Sequence, residues 1–237
     1  MQSSQRTTPQ RWIQPPRQRR SQQTLERLLD AAEALIEEKG FEDTTLADVA
    51  RRAGSSVSAF YRRFRDKDAL LHALHERYQE QCRATVEHNL APENWEGSSI
   101  AEILADFSVF AVEVARWKHG FRRAVFLRSL SDPVFAEREL QLQRLIGLGM
   151  TRLLMERQSE IRHPDPSIAV DFVWRQIIAV LTRRFDAAPL ELEFVPLSDQ
   201  RLVLEATRAA LAYLGISEDG LQESVEGRMS SLEANSP

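Results

Sequence analysis

The chain has 237 residues, 43% of them hydrophobic and 28% charged. That balance suits one or two domains with a real core. One cysteine, Cys82, excludes an internal disulfide, and no apolar run is long enough to span a membrane. The net charge of −4 argues against nucleic acid until its distribution is read. Residues 1–88 carry 15 Lys+Arg against 13 Asp+Glu, or +2, and the rest carry 16 against 22, or −6. The basic surplus is local, as a binding face on an acidic body is.

Residues 1–20 hold five arginines, three prolines and no acid. Nothing there can build a core, so the sequence predicts a disordered basic arm. It either lies along DNA or serves as a solubilising tail. The arm has no apolar stretch behind its charges, which excludes a secretory signal and fits a cytoplasmic protein.

A first helix is predicted from Ser21 to Lys39, with Leu25, Leu28, Leu29, Ala32, Leu35 and Ile36 on one face. Gly40 ends it. The stretch from Thr44 to Leu71, TTLADVARRAGSSVSAFYRRFRDKDALL, then organises the chain. Thr45 caps a helix, with Asp48 three residues on to complete a capping box. Leu46, Val49, Ala50 and Ala53 share its apolar face. Gly54 suits the left-handed turn after it, and Ser56 caps a second short helix. There Val57, Phe60, Tyr61 and Phe64 repeat at i, i+3, i+4 and i+7. Helix, tight turn and helix make a helix-turn-helix. With Phe60 and Phe64 buried, the second helix presents Ser58, Ala59, Arg62 and Arg63, with Tyr61 at its edge. Small residues at the amino end and arginines beyond suit a major groove with phosphates on the flanks.

Asp66 caps the next helix, which runs to about His88. Lys67 sits in its first turn, a poor place for a cation unless it serves a ligand. His72 and His75 lie one turn apart on it, but no carboxylate or cysteine completes a metal site, so both are expected in solvent and no metal or cofactor is implied. Asn89–Ser99 reads as a loop. Helices follow at about 99–118, 120–130, 133–162, 167–187 and 199–214. The LELEFV segment between the last two reads as irregular loop. Residues 217–237 are polar and are expected to be disordered. The glycines of Gly147-Leu148-Gly149 are too few for a dinucleotide fingerprint, and no nucleophile elbow is present.

In the 167–187 helix, Val170, Val173, Ile177 and Val180 form one stripe, and Trp174, Ile178, Leu181 and Phe185 another. That arc needs partners on two faces. In the last helix Ala206, Ala209 and Ala210 allow close approach of a partner. Aromatic residues gather in the 99–130 region, where an apolar pocket with a few polar groups can form.

The Thr44–Leu71 stretch resembles the DNA-binding domain of the TetR family of bacterial transcriptional regulators. The resemblance covers Leu25 to Leu74. It rests on Gly40-Phe41, Thr44-Thr45, Asp48-Val49-Ala50, Ala53-Gly54, Ser56, Phe60-Tyr61, Phe64, Lys67-Asp68 and Leu70-Leu71. Ser55, Ser58 and Arg63 depart from the commonest pattern on the recognition surface. The resemblance implies an all-α fold: a three-helix helix-turn-helix domain at 21–67 and a helical ligand-binding and dimerisation domain at 68–216. It implies that Thr45, Ser55, Ser56, Ser58, Ala59, Tyr61, Arg62, Arg63 and Lys67 meet an operator, Lys67 at a phosphate. It further implies a homodimer through the last two body helices, for which Val173, Ile177, Val180, Leu202, Ala206, Ala209 and Tyr213 are the candidates. The function implied is a repressor of an inverted-repeat operator, released by a small inducer. Phe107, Phe110, Val114, Trp117, Phe121 and Met150 are candidate lining residues for a largely apolar inducer, with Arg175 available to an acidic or carbonyl group. The competing reading is an α-helical enzyme with an accessory helix-turn-helix, but no catalytic constellation supports it.

Overall fold

The computed structural model describes residues 19–186 and 195–235. Residues 1–18 of the basic arm and 190–194 of the LELEFV segment lie outside these. The described residues form ten α-helices, two short 3-10 helices (Pro92–Trp95 and Gln158–Glu160) and no strand: α1 (Arg19–Asp43), α2 (Leu46–Arg52), α3 (Val57–Tyr61), α4 (Lys67–Asn89), α5 (Ile100–Arg116), α6 (His119–Ser129), α7 (Pro133–Met155), α8 (Pro166–Asp186), α9 (Asp199–Leu214) and α10 (Leu221–Asn235).

The chain forms two compact units, and their boundary is not the expected one at 67/68. Among the described residues, the first unit holds those up to Arg83 together with Gly120–Leu140, and the second holds Ala84–His119 and those from Gln141 on. The first is therefore larger than the three-helix head read from the sequence. The first four turns of α4, nearly all of α6 and the start of α7 belong to it.

In the first unit the six-residue apolar stripe of α1 is buried as its periodicity requires. Gly40, at φ 83°, interrupts the helix near its end. Phe60, Phe64, Phe121 and Phe135 share one core with α1 and α4. Phe121, expected at a ligand, is thus a core residue of this unit, with its ring edge-on to Tyr78 at 5.4 Å. The reason lies in α1. The Glu37 carboxylate accepts the Gly120 and Phe121 N–H groups at 3.0 and 2.8 Å, so an anion caps the amino end of α6. Gly120 lets the backbones meet, because a Cβ there would stand 2.7 Å from the Ile36 carbonyl oxygen. Arg77 on α4 reaches Asp30 and Glu33 on α1 at 2.6 and 2.7 Å.

His72 and His75 are not in solvent, as expected, but buried at 3% and 0% exposure. The first turns of α7 cover them with Phe135, a long-range contact that α4 alone does not reveal.

In the second unit α5 is the central helix. Ser99 and Glu102 complete its capping box: the Ser99 hydroxyl accepts the Glu102 N–H, and the Glu102 carboxylate accepts the Ser99 N–H. Ten of its residues, including Ile103, Leu104, Phe107 and Val112, are buried against α8, α9 and α10. The helix α7 ends at Met155, short of the expected 162. There the Arg157 side chain turns back to the Leu153 carbonyl at 2.8 Å and bonds the Ser98 carbonyl at 2.6 Å, tying the helix end to the 89–99 loop. Gly147 and Gly149 are packing glycines: a Cβ would meet the Trp174 Nε1 at 3.2 Å and Leu90 Cδ1 at 2.7 Å. The tail expected to be disordered forms α10. Leu221, Val225 and Met229 recur every fourth residue and bury at 4%, 0% and 7%, and Arg228 pairs with Asp106 on α5.

Candidate nucleic-acid interface and ligand pocket

The two caps read from the sequence hold the helix-turn-helix. The Thr45 hydroxyl accepts the Asp48 N–H at 3.1 Å and the Ser56 hydroxyl accepts the Ala59 N–H at 3.1 Å. The Asp48 carboxylate does not bond the Thr45 backbone N–H that a full capping box would give it. It accepts instead from the Thr45 hydroxyl and Lys39 Nζ, at 2.8 and 2.7 Å, and from Arg51. The Lys39 bond, with the Thr45 hydroxyl next, holds its carboxyl well below the usual carboxylate range. Between the helices Gly54 takes φ 59° and the Ser55 N–H reaches back to the Ala50 carbonyl at 2.8 Å. Val49, Phe60 and Phe64 are fully buried, which fixes the roll of α3 on its unit.

That roll decides what is offered. Thr45, Ser56, Ser58, Tyr61 and Arg62 are exposed, and Ser55, Ala59 and Arg63 are half-buried beside them. Tyr61 is 55% exposed and is braced by the Phe60 ring, edge-on at 5.8 Å. Arg51, Arg52 and Arg65 each pair with a carboxylate, from Asp48, Glu38 and Asp66. Arg62 has no such partner among the described residues. Val57, 42% exposed, joins this face although the helical repeat placed it with the buried set. Only five residues of α3 are helical, so its first residue lies at the rim and not over the core. Lys67 is half-buried. Its Nζ donates to the Glu42 carbonyl at 2.8 Å and lies 4.3 Å from the centre of the Phe41 ring. These contacts accommodate a cation in the first turn of α4.

In the second unit Leu104 and Phe107 of α5, Met150 and Leu154 of α7, and Val170, Val173, Trp174 and Ile177 of α8 line an apolar pocket whose free space is about one water. Of the expected lining residues, Phe107 and Met150 are there. Phe110 and Val114 are half-buried and are not among the lining residues. Trp117 is 47% exposed, with Lys118 Nζ over its ring at 4.0 Å. Arg175 is exposed and bound to Asp171 at 2.6 Å, so no cation lines the pocket. Val173 and Ile177, assigned from sequence to a dimer, are fully buried and line the pocket, and Ala206 is buried in the same unit. The outward faces of α8 and α9 carry Val180, Ala209 and Tyr213, with Leu202 half-buried. They also carry Ile168 and Phe172, which the sequence reading passed over. These two are 60% and 49% exposed, and the Phe172 ring lies 4.9 Å from Tyr213.

Residues 28–74 match the family model described as bacterial regulatory proteins, tetR family. The chain is also 32% identical over 142 residues to the HTH-type transcriptional regulator BetI of Escherichia coli K12, across 59% of this chain and 68% of that protein. The chain belongs to the TetR family. It is a DNA-binding transcriptional regulator, and regulators of this family answer to small ligands and act as dimers. Solved TetR-family structures share its fold. A putative TetR-family regulator from Mesorhizobium loti superposes with a TM-score of 0.65 at 17% identity, over 84% of this chain and 98% of that one. SmeT, the repressor of the Stenotrophomonas maltophilia multidrug efflux pump SmeDEF, superposes at 0.57 with 24% identity, over 85% and 94%. Among the described residues no helix is long and apolar enough to cross a membrane.

Proposed function

We propose that this TetR-family chain is a cytoplasmic, homodimeric repressor and not an enzyme. It binds an inverted-repeat operator through two copies of the α2–α3 face and is released by a small, uncharged, largely apolar ligand. One observation carries the reading. Ser58, Tyr61 and Arg62 stand exposed on a capped helix whose orientation Phe60 and Phe64 fix in the core. Thr45, Ser55, Ser56, Ala59, Arg63 and Lys67 flank that face and position the backbone of the duplex.

The dimer forms across the outward α8 and α9 faces, where Ile168, Phe172, Val180 and Tyr213 leave apolar surface in water. A single short reading head contacts too few base pairs to be selective, and a two-fold doubles them.

The ligand occupies the α5–α7–α8 pocket. Its walls carry no charge, so the arginine-bound acidic group expected from sequence gives way to a neutral ligand. SmeT has been solved in complex with triclosan, and its fold matches this one with a TM-score of 0.55 at 24% identity. Because the free space is so small, a ligand must part the helices to enter. It therefore binds one arrangement of the body better than another, which is what coupling to DNA requires. A thermal-shift and operator-release screen of the purified protein tests this. Uncharged apolar compounds are expected to stabilise the chain and release DNA. Stabilisation and release by sugars or nucleotides alone contradicts the reading.

A further inference from the structure

Buried polar chemistry outside both sites gathers where α4 meets the start of α7. The Phe135 ring stacks on His75 at 4.8 Å and 8°, and its centre lies 4.3 Å from that of His72. Each imidazole meets a carboxylate through Nε2: His72 with Asp132 at 3.1 Å and His75 with Glu139 at 2.8 Å. Gln79, one turn along α4, donates to the same Glu139 oxygen at 2.6 Å. Asp132 also caps α7 by accepting the Val134 N–H at 2.8 Å, and Arg138 donates to the His72 carbonyl at 3.2 Å. The opening turns of α7 are thus fastened to α4 largely through two imidazoles.

The Glu139 carboxylate can only accept, which assigns the proton of the neutral His75 ring to Nε2; the Gln79 amide nitrogen, 3.0 Å from that Nε2, gives its hydrogen to Glu139 instead. The His75 Nδ1 is then a bare lone pair, buried and without a hydrogen-bond partner. A second proton would create a buried N–H with no acceptor and a charge beside Phe135. The charged and titratable groups around the pair are Asp132 just before α7, Arg138 and Glu139 on α7, and Glu76 from α4. Burial is the largest influence on both imidazoles and lowers them from 6.5. Asp132 and Glu139 oppose it, and Arg138 reinforces it.

We propose that His72, His75 and Phe135 form an acid-sensitive latch, which holds the start of α7 on α4 while the imidazoles are neutral and lets go, weakening operator binding, when they are protonated. The sign follows from linkage. Below 6.5 the unfolded chain takes up protons that the latched fold refuses, so the stabilisation is complete above pH 6.5 and is lost as pH falls toward the lowered values.

The experiment compares the full natural chain with H75Q, which keeps a donor toward Glu139 but does not titrate. Thermal midpoint and operator affinity are measured from pH 8 to pH 5.5 at fixed ionic strength, and NMR follows the natural chain's histidines. The natural chain is expected to lose operator affinity between pH 7.5 and 5.5 relative to H75Q. Its thermal midpoint should fall in the same window, with His75 titrating below 6.5. Parallel pH profiles for the two proteins overturn the proposal, as does a His75 midpoint at or above 6.5. If H75Q does not fold, the His75 midpoint and the natural chain's own melting profile decide. A chain that binds no operator at any pH contradicts the regulator reading, while its melting profile still tests the latch.

Discussion

In the first unit a helix of five residues is held by the Ser56 hydroxyl cap and two phenylalanines at 0% exposure, and its free face is small and charged. In the second, α5 is buried on most of its circumference by alanines, valines and larger apolar residues, around a space of about one water. The first arrangement fixes a few side chains rigidly in front of a partner. The second hides nearly everything and leaves a free space of about one water. On the reading proposed above, recognition of DNA is set by orientation, and recognition of a ligand by how the helices part.

The comparison breaks most visibly at the mount of the reading helix. Phe64→Ala is expected to cost about 3–5 kcal/mol of stability, because a fully buried ring leaves a cavity under α3. Chemical denaturation should show this, and operator binding should fall with it. A Phe64→Ala protein of natural stability would mean that α3 is held by something other than its core contacts.

Next in size is the face itself. Arg62→Ala and Tyr61→Ala should each cost on the order of 1–3 kcal/mol in operator binding, with the thermal midpoint unchanged, since both side chains are exposed. Equal affinity to the natural chain, measured by fluorescence anisotropy, would remove these two residues from the interface.

Smallest is a matched pair of changes, one in each unit. Ser56→Ala deletes a cap and should cost about 1 kcal/mol of stability, with a loss of affinity alongside because the cap orients α3. Ile177→Val deletes one methylene from the pocket wall and should cost a similar ~1 kcal/mol. It should leave operator affinity alone and shift the ligand preference toward bulkier compounds. Denaturation and binding curves side by side separate the two.

These differences also explain what could be read in the sequence. The helix-turn-helix was legible because local signals make it: Thr45, Gly54 and Ser56 act within three or four residues, and the structure shows each in its role. The α8 stripe was visible, but the side of it that turns inward was not. Val173, Ile177 and Leu181 bury while Val180, one residue off, stands at 40% exposure. Only the positions of α5 and α7 decide that. His72, His75 and Phe121 depend on residues 120–140 returning to α4, and no pattern within α4 announces it. The stripe of α10 was there in Leu221, Val225 and Met229, but serines, glutamates and glutamine around it masked a single narrow apolar row.

The central claim is that two reading heads act together through the outward α8 and α9 face. Footprinting on operator fragments selected by the purified protein tests it most directly, with Phe172→Asp as the partner-deficient comparison. The natural chain should protect an inverted repeat with half-site centres roughly 34–36 Å apart or a multiple of that. Its affinity should fall steeply with salt. Phe172→Asp should run as a monomer in sedimentation and lose that protection while remaining folded. A single protected half-site, bound as well by Phe172→Asp as by the natural chain, would contradict the account.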